Sequence, residues 1–307
     1  MSPEALLEEV FQPDATLSPY EEMLAFEYLY SMDGMTLKRV TDATVRRGML
    51  PSEALYEECG ILGPSEERMR EIARFLEGRL GSFSVVVNNT PSWPHKLADS
   101  ERPTPLIYYR GDIGLVETQG VSVVGARKAS EAGRLRARRI ARELAEAGVT
   151  VVTGLAAGID TAATESAIKA GGKVTGVIGT PIDEAYPKEN RELQEKVARR
   201  HLLISQVPFF RYSQEAFKEH RYHFPERNEL MAAVSDATVI VEASDTSGTL
   251  TQARACLHQG RPLLIMRSCT EAPGVTWPNR FVGKEGVHVI DNTEQVLEAI
   301  GAFDGRA

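Results

Sequence analysis

From residue 121 onward, short apolar runs alternate with longer segments whose apolar residues recur at helical spacing. The apolar runs lie at 121–124, 149–153, 174–178, 202–205, 237–241, 262–266 and 286–290. The helical patterns lie between most of them, at 130–147, 159–171, 188–200, 227–234, 248–259 and 293–301. Alternating strands and helices predict βαβ units and a parallel sheet. Near-continuous valine and isoleucine runs are typical of strands that are buried on both faces.

The first 80 residues have a different pattern. Apolar residues recur at helical spacing in 19–31 and 65–79, which predicts a small bundle of four or five short helices. Residues 81–120 hold two short strand candidates, 84–88 and 106–109, separated by a proline-rich stretch. We therefore predict three parts: a helical domain at 1–80, a connecting segment docked on the core at 81–120, and an α/β domain at 121–307.

Composition narrows the class of protein. The 307 residues are 42% hydrophobic and 25% charged, which is typical of a globular chain with a proper core. The three cysteines are far apart in the sequence, which favours free thiols over a disulfide framework. The stretch 1–11 lacks the pattern of a signal peptide, and no run approaches 18 apolar residues. These features predict a cytoplasmic protein that does not contact a membrane.

The net charge of −8 would by itself argue against a nucleic-acid partner, because binding to phosphates requires Lys and Arg. The charge is unevenly distributed, however. Residues 1–80 hold 16 acids and 8 bases, whereas 81–307 hold 27 of each. Within 121–142, seven bases face one acid. The acidic helical domain is thus a better candidate for a protein contact, and the basic strip at 121–142 permits DNA binding.

Three predicted strand-to-helix turns carry glycines and hydroxyl groups where a parallel sheet binds its ligands. They are 125–130 with Gly125, Arg127 and Lys128; 153–160 with Gly154 and Gly158; and 244–250 with Ser247, Gly248 and Thr249. Glycine allows a ligand to approach the backbone, and a helix N-terminus offers amides to an anion. The alternative is that these are ordinary tight turns. None matches a P-loop or the GxGxxG pattern, so nucleotide hydrolysis and NAD binding are disfavoured.

Two further features lie near the same predicted edge. Lys188 and Asn190 follow the strand at 174–178, where the alternatives are a solvated lysine and a turn amide. The stretch 208–228 interleaves aromatic and basic residues, a pattern that suits base stacking and phosphate contact. The alternative for that stretch is a long loop held by buried aromatic side chains. Its two histidines lack further ligands at metal-site spacing, so we predict no metal and no cofactor. Asp160, at the end of the 153–160 turn, is a candidate helix cap, and the alternative for it is a catalytic role.

An ordered series of motifs resembles the DprA family of DNA-processing proteins, also called Smf. The matching segments lie between about 90 and 267, and they read VVGARKASEAG, VVTGLAAGIDTAA, VIGTPIDEAYPKEN, LLISQVP, FPERN and VIVEASDTSGTLTQARAC. The series departs from the family pattern at Glu229, Gln206, Thr164 and Arg267-Ser268. Of these, Glu229 replaces an arginine, and an acid in a phosphate groove would oppose DNA binding.

The resemblance implies an extended Rossmann-like, mostly parallel sheet with helices on both faces, preceded by a small SAM-like helical domain. We expect no winged-helix domain of the kind that many relatives carry at the C-terminus, because the predicted α/β domain occupies 121–307. The implied function is single-stranded DNA binding without catalysis, in which a homodimer protects incoming DNA and loads the RecA recombinase. By motif match, the DNA contacts are Gly125, Arg127, Lys188, Phe224, Arg227 and Asn228, with Ser247 and Thr249 in the neighbouring turn.

Two alternatives use the same pocket. One is a nucleotide-processing enzyme of the phosphoribohydrolase type, although the turn at 244–249 lacks the paired glycines and the following glutamate of that signature. The other is a nucleotide-sensing module, which the sequence separates poorly from a DNA-binding protein.

Overall fold

The computed structural model describes residues 18–301, so the stretch 1–11 considered for a signal peptide lies outside the described residues. Its centre is a nine-stranded sheet in the order β1-β2-β6-β5-β4-β3-β7-β8-β9. The strands are β1 (Ser84–Val87), β2 (Leu106–Gly111), β3 (Gly120–Gly125), β4 (Thr150–Thr153), β5 (Val174–Ile178), β6 (Leu202–Ser205), β7 (Ala237–Glu242), β8 (Leu263–Met266) and β9 (Val287–Ile290). The predicted α/β class is therefore confirmed.

Four helices form the N-terminal part of the described chain. They are α1 (Pro19–Ser31), α2 (Leu37–Ala43), α3 (Pro51–Cys59) and α4 (Glu66–Glu77). Helix α4 begins where the sequence predicts, because the Ser65 side chain accepts a hydrogen bond from the amide of Arg68. Its apolar stripe, including Met69, Ile72 and Leu76, is buried. The predicted helical bundle is thus present, and its assignment as a separate SAM-like domain stays a prediction.

The two strands predicted in 81–120 belong to the main sheet. Strand β1 pairs antiparallel with β2, and β2 pairs antiparallel with β6, with Tyr108 opposite Ser205. Strands β3 to β9 all run parallel to one another. The segment 81–120 is therefore more than a connection docked on the core, since it supplies one edge of the sheet.

Eight helices follow β3. They are α5 (Glu131–Glu146), α6 (Ile159–Lys169), α7 (Arg191–Arg200), α8 (Phe209–Gln214), α9 (His223–Ala233), α10 (Thr249–His258), α11 (Arg267–Thr270) and α12 (Thr293–Ala299). The chain moves from β3 outward through β4 and β5 to β6, then returns to place β7 on the other side of β3. Because βαβ crossovers are right-handed, this reversal places the two sets of helices on opposite faces. It also opens a crevice between the carboxyl ends of β3 and β7.

The helical part and the sheet share one hydrophobic core. At their junction, the fully buried carboxylate of Glu27 on α1 accepts hydrogen bonds from the Tyr108 hydroxyl at 2.6 Å and from the amides of Phe209 and Phe210 at 2.9 Å. Burial raises the pKa of Glu27 to about 7 even though these donors oppose the shift. At the rim, Arg79 pairs with Asp183 at 3.2 Å. Among residues 18–301, no helix is long and apolar enough to cross a membrane.

Candidate nucleic-acid interface

A cleft of about 1020 Å³ occupies the crevice between β3 and β7. Nine of the thirteen residues predicted for the site line it: Gly125, Arg127, Lys128, Phe224, Arg227, Asn228, Ser247, Gly248 and Thr249. These residues come from the turns after β3 and β7 and from helix α9. The reversal of strand order is what brings these three distant parts of the sequence together.

Arg127 and Lys128 are exposed at the mouth of this cleft. The Arg127 guanidinium carbon lies 5.5 Å from the ring centre of Phe224 and 5.6 Å from that of Tyr186. The two rings are themselves 5.6 Å apart. A cation beside two partly exposed rings offers charge to a phosphate and an aromatic surface to a base.

Arg227 has a different role from Arg127, because its side chain is buried. Its Nη1 donates hydrogen bonds to the carbonyls of Val177 at 2.7 Å and Gly154 at 3.1 Å, and its Nε donates to the Asn228 amide oxygen at 3.1 Å. Burial lowers the pKa of Arg227 to about 10, against the opposing effect of Asp160. The guanidinium remains a cation at neutral pH and places fixed positive charge at the base of the cleft.

Asp160 lies in the first turn of α6 and is not the cap that the sequence predicts, because Gly158 occupies that position. Its buried carboxylate instead accepts the amide of Gly154 at 3.0 Å. Burial raises the pKa of Asp160 to about 6, and Arg227 and the loop amides oppose that rise. Asp160 therefore stabilises the 154–158 loop from beneath and balances the buried charge of Arg227.

Gly154, Gly158, Lys188 and Asn190 do not line the cleft. The two glycines make room for it: a Cβ at Gly154 would lie 2.0 Å from Arg227 Nη1, and one at Gly158 would lie 2.3 Å from the Ala126 carbonyl. The Asn190 amide donates to the Leu155 carbonyl at 2.8 Å and to the Thr161 hydroxyl at 2.9 Å. Lys188 is exposed, two residues beyond Tyr186. The structure thus places these four residues around the cleft and makes three of them supports for its walls.

The turn after β3 differs from the expected anion cradle. Helix α5 begins at Glu131, directly after Ser130, and the Ser130 hydroxyl caps it by accepting the amide of Gly133 at 2.9 Å. The Ser130 amide, however, already donates to the Glu242 carboxylate at 2.8 Å, and the Ser130 hydroxyl donates to it as well. A side chain of the protein therefore occupies the N-terminus of α5.

The turn after β7 presents a more open helix start. The amide of Thr249 donates to the Ser247 hydroxyl at 3.2 Å, and that hydroxyl donates to Thr249 Oγ1 at 2.8 Å. Gly248 is exposed at the first position before α10. The next two amides donate within the turn, Leu250 to the Ser247 carbonyl at 3.2 Å and Thr251 to the Gly248 carbonyl at 3.0 Å. This turn therefore offers an anion its hydroxyl groups and the positive end of the helix dipole.

The aromatic segment 208–228 divides into two halves. Phe209, Phe210 and Tyr212 are buried, and Phe209 packs at 5.1 Å from both Phe83 and Tyr108. This half therefore matches the structural alternative of buried, anchoring aromatics. In the second half, helix α9 begins at His223, four residues earlier than predicted, and it carries Phe224 into the cleft.

The basic strip 121–142 is largely neutralised by neighbouring acids. Arg134 and Arg138 pair with Glu131, Arg139 and Arg142 pair with Glu143, and Arg136 faces Glu242 at 3.7 Å. Among the described residues, Arg127 and Lys128 are the two cations of the strip without such a partner. Within this strip, the positive charge without an acidic partner therefore lies at the cleft.

Comparison with known proteins identifies the family that has this fold. A family model described as DNA recombination-mediator protein A matches residues 84–301. The chain belongs to this family. The resemblance to DprA and Smf proteins that the motifs indicated is thereby confirmed.

Curated members of the family align over much of the chain. The DNA processing protein DprA of Bacillus subtilis is 27% identical over 267 residues, which cover 87% of this chain and 86% of that protein. Protein Smf of Synechocystis is 33% identical over 219 residues, covering 69% of this chain but only 53% of that protein. DprA of Streptococcus pneumoniae is 33% identical over 216 residues, covering 70% and 73%. The chain thus spans about half of the Synechocystis relative and most of the other two.

Solved structures of the family share the fold. The crystal structure of DprA from S. pneumoniae superposes with a TM-score of 0.70 at 24% identity, covering 92% of this chain and 98% of that one. DprA from Helicobacter pylori, whose structure addresses its single-stranded DNA binding mode, gives a TM-score of 0.60 at 24% identity and covers 71% and 95%.

The departures from the family pattern lie mostly outside the cleft lining. Glu229 faces α10, where its carboxylate lies 3.4 Å from the Gln259 amide and 3.6 Å from His258. Glu229 is two residues beyond Arg227, which is about 200° around a helix, so the structure places this acid outside the cleft lining. Thr164 hydrogen-bonds Thr153 at 2.9 Å beneath the sheet edge. Of Arg267-Ser268, Arg267 pairs with Asp291, whereas Ser268 lines the cleft.

Several cleft residues were not predicted as site residues from the sequence: Arg136, Arg221, Glu242, Gln252 and Ser268. Glu242 and Arg221 lie within segments that the sequence singled out, next to residues that were predicted. Arg136 lies in the basic strip 121–142, Gln252 lies within the last quoted motif, and Ser268 stands at a departure from the family pattern. No local signal indicates that these three side chains face the cleft.

Proposed function

We propose that this protein binds single-stranded DNA in the β3–β7 cleft, with no chemical step. The observation that carries the proposal is the convergence of Arg127, Phe224 and Arg227 at the switch point of the sheet. Membership of the DNA recombination-mediator family supports it. So does the description of the H. pylori relative as a single-stranded DNA-binding protein.

In the proposed mode, Arg127 and Lys128 contact phosphates at the cleft mouth, and the start of α10 adds hydroxyl groups and the positive end of its dipole. Phe224, with Tyr186 beside it, provides a surface on which a base stacks. Buried Arg227 does not reach out, because carbonyl groups hold its Nη1. It contributes fixed positive charge and orients the start of α9. Stacking is worth about 1–3 kcal/mol per base, and phosphate contacts make the affinity depend on salt.

The test is binding of a 20-nucleotide oligo-dT to Arg127→Ala, measured by gel shift and fluorescence anisotropy over a salt series. We expect affinity to fall many-fold and the slope of log affinity against log salt to decrease by about 1. Arg139→Ala is the matched control, since Arg139 is an exposed α5 arginine paired with Glu143 and outside the cleft lining. Unchanged binding by Arg127→Ala would refute this location for the site.

Calorimetry separates this proposal from the alternative of a nucleotide sensor. A DNA-binding protein takes up the 20-nucleotide strand far more tightly than dTMP, because several phosphates and bases contribute to the strand affinity. A sensor binds the mononucleotide with an affinity comparable to that for the strand. Protection of incoming DNA, RecA loading and a homodimeric state are parts of the same proposal that rest on the family resemblance.

A further inference from the structure

Glu242, at the end of β7, is an acidic side chain in a cleft that we propose to bind DNA. Its side chain is about one quarter exposed and lines the cleft. One carboxylate oxygen accepts the Ser130 amide at 2.8 Å, and the other accepts the Ser130 hydroxyl and lies 3.7 Å from Arg136 Nη2. An acid therefore stands in a cleft whose proposed ligand is an anion.

The surrounding backbone is shaped to receive this carboxylate. A Cβ at Gly133, in the first turn of α5, would lie 2.2 Å from the nearer Glu242 oxygen and 2.9 Å from its carboxyl carbon. Any side chain at residue 133 would displace the Glu242 carboxylate from this position. The amide of Ala126, in the turn after β3, donates to the Glu242 carbonyl at 2.7 Å and fixes the end of β7 beside that turn.

A helix N-terminus after a glycine-containing turn is the usual seat for the phosphate of a bound nucleotide. Here the Glu242 carboxylate lies at that N-terminus and accepts both the amide and the hydroxyl of Ser130, the residue that caps the helix. A free mononucleotide depends on one strong phosphate seat, whereas a strand distributes its affinity over several phosphates and bases. Filling the seat therefore penalises the mononucleotide far more than the strand.

We propose that Glu242 is a specificity-determining residue that occupies the α5 phosphate seat and so makes the cleft select strands over free nucleotides and inorganic phosphate. This inference rests on the proposed DNA-binding function and adds to it a reason for discrimination. It assigns the phosphate contacts of a bound strand to the mouth of the cleft and to the α10 side.

The experiment compares Glu242→Ala, Glu242→Ser and Glu242→Gln with the unaltered protein by calorimetry, using inorganic phosphate, dTMP and the 20-nucleotide oligo-dT. The Ala and Ser side chains cannot reach the Ser130 amide and leave the seat empty. We expect both to bind phosphate and dTMP at least tenfold more tightly than the unaltered protein does. Gln fills the seat and still offers an oxygen to the Ser130 amide, so its affinity for both small anions stays within twofold.

Thermal unfolding establishes which variants are folded. One folded variant of the two, Glu242→Ala or Glu242→Ser, is enough for the test. The proposal is overturned if a folded Ala or Ser variant gains no affinity for phosphate or dTMP. It is also overturned if the Gln variant gains as much, because charge repulsion and not occupancy would then explain the effect. Failure of the unaltered protein to bind oligo-dT is a separate result that refutes the proposed function, and the phosphate comparison remains readable in that case.

Discussion

The Gly154 carbonyl accepts a hydrogen bond from Arg227 Nη1 at 3.1 Å, and the missing side chain of Gly154 is what lets that nitrogen approach. Because a Cβ would lie 2.0 Å from Nη1, Gly154→Ala must displace the buried guanidinium. We expect the variant to lose at least tenfold in oligo-dT affinity, measured by anisotropy, although residue 154 itself does not line the cleft.

Gly78→Ala is the control for that substitution. Gly78 has ordinary helical dihedrals and no atom within 4 Å of an added Cβ. Equal affinity of Gly154→Ala and Gly78→Ala for the oligonucleotide would show that the seating of Arg227 has no part in binding.

Phe224→Leu tests base stacking directly. The leucine keeps an apolar contact with the cleft wall but lacks a ring face, so about 1–3 kcal/mol per stacked base is lost. That loss corresponds to a decrease in oligo-dT affinity of roughly 5- to 150-fold. Phe217→Leu removes an equally large ring that is 82% exposed and outside the cleft lining. The stacking role is refuted if the two variants bind alike.

His223 predicts a specific dependence of stability on pH. Its ring is buried, which by itself lowers the pKa, but hydrogen bonds to Glu215 at 2.7 Å and to Glu226 raise the pKa to about 9. The folded state thus holds this proton more tightly than the unfolded chain, whose histidine titrates near 6.5. The stabilisation is complete below about pH 6.5 and is lost as the pH rises through 9.

Melting temperature measured from pH 6 to 9.5 checks this expectation. The unaltered protein should lose stability over that interval, and His223→Phe should show a weaker dependence. Glu215→Gln removes the principal partner and should flatten the curve in the same direction. Parallel curves for all three proteins would exclude the imidazolium as the source.

Glu27→Gln addresses the junction between the helices and the sheet. Glu27 accepts two backbone amides, one through each carboxylate oxygen. In the glutamine variant, the NH₂ group would face one of these amide N–H groups, and two donors cannot form a hydrogen bond with each other. An unsatisfied buried donor costs about 1–3 kcal/mol, which urea unfolding at pH 7.5 measures. Because the pKa of Glu27 is raised to about 7, this group's contribution to stability increases as the pH falls from 7 towards 4.5. The pH dependence in that range should therefore be smaller in the glutamine variant.

The sequence predicted the sheet well because each strand has its own local signal. Runs such as 174–178 and 202–205 match strands β5 and β6 residue for residue, since a strand buried on both faces tolerates few polar residues. The start of α9 was placed late because Pro225 and the aromatic residues before it obscure the helical pattern. Proline is nevertheless tolerated in a first helical turn, where its missing N–H has no partner to lose.

Without the family motif that supplied Phe224, Arg227 and Asn228, the site was predictable only where its residues stand beside a strand end. Arg127 and Ser247 follow directly from that rule, and the structure places both at the cleft. The contact of Glu242 with Ser130 joins residues 112 positions apart, so no local pattern contains it. Asn190 differs in another way: it lies at the end of the long loop after β5, and its amide faces inward to the loop carbonyl of Leu155.

The antiparallel pairing of β2 with β6 has consequences for folding during synthesis and for truncated fragments of the chain. Strand β2 ends at Gly111 and leaves the ribosome long before β6 begins at Leu202, so the edge of β2 that faces away from β1 stays unpaired until β6 is synthesised. A fragment started at residue 121 would have the converse defect. It would present the bare edge of β6, a buried apolar strand, as a template on which other chains can add and aggregate.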